Sequence, residues 1–131
     1  TLLESLRSYT DGELWCVFGC GGERDRGKRA AMGHAAAVGA DRVVLTNDNP
    51  RGEDPDAILA DIAEGLSASA QARIPQRDLA IAYALEQAAS RDLVVIAGKG
   101  HETNQIVGDQ VLPFNDQAIA EEILRTMPCS A

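Results

Sequence analysis

At 131 residues the chain is the size of one domain, long enough for a single core that buries roughly two-thirds of the unfolded surface. A net charge of -8 opposes binding to duplex nucleic acid. Aromatics at 4% leave little for base-stacking platforms, so the core must be built mainly from Ala, Leu, Ile and Val.

The cysteines Cys16, Cys20 and Cys129 form no CxxC pair, and His34 and His101 lie far apart. Neither a metal site nor a disulfide framework is expected from them. An odd cysteine count fits a reducing cytosol. No apolar run approaches the ~20 residues of a membrane helix, and no secretory signal is recognisable. The chain opens on Thr1 rather than Met, which reads as a piece of a longer protein.

In chain order, Leu2, Leu3, Leu6 and Tyr9 recur at helical spacing, so residues 1–9 read as the end of a helix. Asp11-Gly12 is a turn signal. LWCVF at 14–18 is an apolar run of strand length, as expected for a strand buried on both faces. Residues 27–38 are Ala-rich and helical, closed by Gly39. RVVLT at 42–46 is a second strand, followed by a loop over 47–54. Asp54 before Pro55 reads as an N-cap with proline at the first helical position, and Ile58, Leu59, Ile62 and Leu66 form one apolar face. A short strand at 72–75 precedes a helix over 77–90 whose apolar side is Leu79, Ala80, Tyr83, Ala84 and Ala88. LVVIA at 93–97 is the fourth strand. Residues 105–107 and 111–114 read as a hairpin across Gly108-Asp109-Gln110. Asn115 or Asp116 caps a last helix containing Ile119, Ile123 and Leu124. Strands alternating with helices predict an α/β fold, a Rossmann-like, largely parallel open sheet with helices on both faces and a C-terminal hairpin or edge strand.

Three polar, glycine-containing segments each follow a strand: GCGGERDRGKR at 19–29, TNDNPR at 46–51 and AGKGHE at 97–102. Ligands of open α/β sheets bind at the carboxyl ends of the strands, so the three predict one composite site. It offers Arg24 and Arg51, the carboxylate of Glu102 and the amide of Asn49, a set suited to a zwitterionic amino acid or a small dicarboxylate. Two familiar phosphate motifs fail here. Gly22 to Lys28 matches GxxxxGK, but Arg29 follows where a P-loop needs Ser or Thr for magnesium. Gly19 to Arg24 begins like GxGxxG, but Arg24 replaces the third glycine.

Together the three segments resemble the C-terminal domain of the Mur ligases, over residues 14–124. The pattern GCGGxRDxGKR stands at 19–29, DNPR at 48–51 with Glu53 and Pro55 after it, and AGKGHE at 97–102 with Gln105 after it. The resemblance is to the branch of the family that adds meso-diaminopimelate to UDP-N-acetylmuramoyl-L-alanyl-D-glutamate. It implies a diaminopimelate site of Arg24, Asp48, Asn49, Pro50, Arg51, Gly98 and Glu102 and no catalytic residue in this segment; Lys28 is a phosphate-facing candidate, and Lys99 and His101, in one loop, either face phosphate or orient that loop. Arg51 can form a bidentate pair with the distal carboxylate of diaminopimelate. L-Lysine lacks that carboxylate and would leave a desolvated charge unpaired, enough for roughly 10²- to 10⁴-fold discrimination. Glu102 can balance a ligand ammonium, and Gly98 lets the backbone approach closely.

Structural alternatives stand beside these roles. Pro50 fixes the loop, Asp48 bonds its own turn, Arg24 pairs with Asp25 or Glu23, Arg51 pairs with Glu53 or Asp54, and Glu102 is a surface acid. His34 reads as structural, and Cys16 and Cys20 as small fillers. The sequence departs from the family at Glu23, where Asp is usual, and at Asn104, where an aromatic residue is common.

The resemblance further implies an ATP-dependent amide ligase of peptidoglycan synthesis in a bacterial cytoplasm of Gram-negative type. The D-glutamyl carboxylate would be phosphorylated and the acyl phosphate attacked by an amine of diaminopimelate. ATP, Mg2+ and the UDP-sugar dipeptide would be bound mainly by N-terminal and central domains outside this chain, which would itself be inactive alone. Alternatives are a related ligase, of folylpolyglutamate or lysine-adding type, and a stand-alone amino-acid-binding module. Arg51 weighs against the first pair, and the start without Met against the module.

Overall fold

The computed structural model describes residues 3, 6–20, 27–66, 72–97, 104–107, 110–113 and 116–126. Four strands form a parallel sheet in the order β3-β2-β1-β4: β1 Leu14–Phe18, β2 Arg42–Leu45, β3 Ala72–Arg73 and β4 Leu93–Ile96. Register is set at Cys16, which faces Val43 on one side and Val95 on the other. A separate antiparallel pair joins β5 Asn104–Val107 to β6 Gln110–Pro113. The helices are α1 Gly27–Gly39, α2 Pro55–Ala63, α3 Arg77–Gln87 and α4 Asp116–Thr126. Among the described residues no helix is long and apolar enough to cross a membrane.

β1 is buried along its whole length because it lies inside the sheet with helices on both faces. Its side chains alternate between two cores. Cys16 and Phe18 join Ala36, Val43, Leu45, Ile58, Leu59 and Ile62 under α1 and α2. Trp15 and Val17 join Val44, Ala80, Ile81 and Ala84 under α3, with Ile119 and Ile123 of α4 packed against them. Cys16 and Cys20 are small core fillers, and burial pushes both thiols up to about 11.

Several boundaries differ from those read in the sequence. At the N-terminus Leu3 and Leu6 are helical, as expected, and Arg7–Tyr9 closes the segment as a 3-10 turn. The strand at 72–75 ends at Arg73; Pro75 has no N–H for a ladder, and its carbonyl accepts from Asn47 N and Thr46 Oγ1 instead. The helix expected over 77–90 stops at Gln87, because Ala88 is extended and the Asp92 carboxylate takes the Ala89 N–H at 2.8 Å. Its core face is Arg77, Ala80, Ile81 and Ala84, whereas Leu79 is 54% exposed. A buried arginine heads the i, i+3, i+4, i+7 stripe where hydrophobicity alone pointed to Leu79. Leu124 is likewise exposed. In the hairpin Val107 pairs with Gln110, which therefore belongs to the strand. The Asp116 carboxylate is taken by Arg77, while Asn115, the other residue read as the cap, lies outside the described residues. Asp54 does cap α2, accepting from Asp56 N at 3.0 Å, with Pro55 at the first helical position.

Candidate functional site

The chain runs from β1 outward through β2 to β3, then returns to place β4 on the other side of β1. The topological switch point is thus between β1 and β4, and its crevice opens at their carboxyl ends. The first and third motif segments leave from these two strands, and the second leaves from β2 beside them.

The first and second segments meet through Gly19. A Cβ there would overlap the Thr46 carbonyl oxygen and come within 2.9 Å of Asp48 N, so only glycine permits this approach. Thr46 is fully buried and its N–H donates to Phe18 O at 3.0 Å. Asn49 and Pro50 are buried, and Asp48 and Arg51 are half-buried. Arg51 holds φ 54, the left-handed region, and its Nη1 donates to Asn49 O at 3.4 Å. Glu53 accepts two bonds from Arg29, and Asp54 is the helix cap.

Arg29 was not singled out by sequence reasoning as a structural residue. It is 1% exposed in the first turn of α1. It donates to Glu53 Oε2 at 2.6 Å, Glu53 Oε1 at 2.8 Å and Asp61 Oδ2 at 2.9 Å. The Glu53 bonds, then those of Asp61, hold it even more firmly protonated than an ordinary arginine, against the effect of burial. Its position in the chain ties the first motif to the residue two places after Arg51. Arg77, also missed, bonds the β2 exit at Asn47, the β4 exit at Ala97 and the start of α4 at Asp116. The one sequence cue for either was an arginine in the first turn of a helix, which usually signals solvent.

Of the site residues expected from sequence, Asp48, Asn49, Pro50 and Arg51 come together at the β2 exit, against Gly19. Arg24, Gly98, Lys99, His101 and Glu102 lie outside the described residues, as does Cys129. Lys28 is exposed in the first turn of α1. The His34 side chain is exposed, with its backbone against Gly65.

The described part of the first motif is not that of a P-loop. The position where a P-loop hydroxyl would hold magnesium is Arg29, turned inward onto two carboxylates. Among the described residues no three His, Cys, Asp or Glu side chains converge as metal ligands.

Residues 1–100 match the family described as Mur ligase, glutamate ligase domain. A protein of Alkalilimnicola ehrlichii named UDP-N-acetylmuramoyl-L-alanyl-D-glutamate–2,6-diaminopimelate ligase is 53% identical over 125 residues, covering 92% of this chain and 25% of its own. A protein of the same name from Coxiella burnetii is 51% identical over 123 residues, covering 93% of this chain and 25% of its own. A solved structure of a ligase so named superposes with a TM-score of 0.90 at 44% identity, over 95% of this chain and 26% of that one. The chain therefore spans about a quarter of the length of the relatives it matches. With the family's motifs at the exits of β1, β2 and β4 and the match running through most of its length, the chain belongs to the Mur ligase family.

Proposed function

We propose that the chain is the amino-acid-binding domain of an ATP-dependent ligase that joins meso-diaminopimelate to UDP-N-acetylmuramoyl-L-alanyl-D-glutamate in cytoplasmic peptidoglycan synthesis. The observation that carries the reading is Arg51, held at the β2 exit in a left-handed conformation beside the buried Asn49 and Pro50. Such strain in a non-glycine residue is retained where the surroundings over-determine it, commonly at ligand clamps. The names of the relatives support diaminopimelate as the amino acid.

In this reading Arg51 takes the distal carboxylate in a planar, two-bond pair. Asn49 offers an amide to the same end, and Arg24 and Glu102 meet the carboxylate and ammonium of the ligand's other charges. Gly98 allows the ligand to lie against backbone. ATP, Mg2+ and the UDP-sugar dipeptide belong to the remainder of a longer protein, and this domain supplies the oriented amine and excludes water around it. Alone it folds but does not ligate.

A backbone NMR titration of the chain with meso-diaminopimelate, run beside L-lysine, tests this. Diaminopimelate should shift Asn49 and Arg51 selectively. Equal responses to both ligands would overturn the Arg51 argument.

A further inference from the structure

α3 begins with a charged residue turned inward. The Arg77 side chain is fully buried. Its Nε and Nη2 donate to the two oxygens of Asp116 at 2.7 Å each. Its Nη1 donates to Asn47 O at 2.9 Å, and Nη2 also donates to Ala97 O at 3.0 Å.

Asn47 and Ala97 stand on opposite sides of β1. β2 and β4 are its two neighbours, two strand spacings or ~10 Å apart across the sheet, yet a single guanidinium reaches a carbonyl at the exit of each. The ladders fix each of them to β1 and not to one another. The Arg77 fork bonds both. Asn47 immediately precedes Asp48-Asn49-Pro50-Arg51, and Ala97 is the residue from which the third motif departs.

Stability is a poor explanation for this arrangement. Desolvating two charges offsets much of their attraction, and apolar residues of similar volume often hold a core as well or better. Apolar residues could not donate to two carbonyls on either side of a strand. A lysine could pair with Asp116 but lacks the rigid planar fork.

We infer that Arg77 is a positioning residue for the amino-acid site. By bonding Asn47 and Ala97 it sets the separation at which the second and third motifs leave the sheet, and so the span open to a ligand charged at both ends. The inference rests on the reading of the chain as the amino-acid-binding domain of a ligase.

The test is made in the full-length ligase with two variants. Arg77→Met combined with Asp116→Leu removes both charges and leaves no unpaired ion. Arg77→Lys keeps the charge without the fork. Each is assayed with meso-diaminopimelate and L-lysine, and each is followed by backbone hydrogen exchange. The double variant should melt near the wild type, with KM for the amino acid raised on the order of 10- to 100-fold while KM for ATP and kcat change little. Exchange should quicken at residues 46–49 and 97 and hold in 14–18 and 42–45. Arg77→Lys should show a smaller KM rise of the same selectivity. A folded double variant with wild-type KM, or with unchanged exchange at 46–49 and 97, overturns the inference. Protection lost throughout the strands, with kcat and KM moving together, makes Arg77 merely structural and overturns it too. A wild type that ligates neither amino acid would sink the ligase reading instead, and the exchange pattern then decides whether Arg77 sets the spacing.

Discussion

Arg51 holds a backbone conformation, φ 54, that costs a non-glycine residue about 1–2 kcal/mol. Glycine at this position would relieve that strain, offset by the ~0.5–1 kcal/mol of extra entropy that glycine loses on folding. The two nearly cancel, and loss of the side-chain bond to Asn49 O adds about 0.5–1.5 kcal/mol, so Arg51→Gly should cost no more than about 2 kcal/mol, read by urea denaturation. Selective binding of diaminopimelate over lysine should nevertheless vanish, because the guanidinium is gone. A large drop in stability would mean that Arg51 serves the fold, and retained selectivity would mean that another group reads the distal carboxylate. Arg29 stands in contrast. It is an equally charged residue of the same motif set, yet it is spent on Glu53 and Asp61 inside the protein.

The contact between α1 and α2 is made through glycines. A Cβ on Gly33 would overlap the Ile62 carbonyl oxygen, and one on Gly65 would overlap Ala30 O and stand 2.9 Å from His34 N. In a free helix, alanine for glycine gains up to about 1 kcal/mol of propensity. Here the added methyl meets backbone, which cannot swing aside, and overpacking of this kind costs ~1–3 kcal/mol. Gly33→Ala should therefore destabilise, by about 1–2 kcal/mol net, and a stabilised variant in chemical denaturation would contradict the close packing. The same contrast between local signal and tertiary demand explains what the sequence disclosed. β1 and β2 were legible because a strand covered on both faces is apolar throughout, β4 because its apolar run is of strand length although it lies half-buried at the sheet edge, and α2 because Asp54-Pro55 marks its start by backbone chemistry alone. The motif order disclosed where the β2-exit residues would gather. Arg77 was not legible, because hydrophobic periodicity treats arginine as solvent-facing and its partner Asp116 is 39 residues away. The early end of α3 was hidden for a similar reason, since it depends on Asp92 capturing the Ala89 N–H.

Across the whole molecule the two ends of the sheet are tied by opposite charges. At the carboxyl ends Arg29 and Arg77 gather the loops. At the amino ends two aspartates flank the start of β1. Asp41 accepts from Arg7 and from Leu14 N, and Asp92 accepts from Ala89 N, Glu13 N and the Trp15 indole at 2.8, 2.9 and 3.0 Å. The Arg7 bond and the Leu14 amide hold the Asp41 carboxyl below its ordinary range. The Ala89 and Glu13 amides, then Trp15, do the same for Asp92. Both folded pKa values are lower than the unfolded ones, so the unfolded chain takes up protons first as the solution is acidified. The stabilisation from these groups is complete above the unfolded carboxylate value of about 3.9 and fades as pH falls through the folded values. Asp92→Asn removes one such group and cannot titrate. Its stability deficit relative to wild type should be constant from neutral pH to about pH 5, then shrink as the solution is acidified further. Urea denaturation at a series of pH values measures this directly. Trp15 is the chain's single tryptophan, so its fluorescence follows the same bond through the transition. A deficit that stays constant to the lowest pH would show that Asp92 works through geometry alone, and that the charge arrangement at the amino ends does not set the acid limit of the fold.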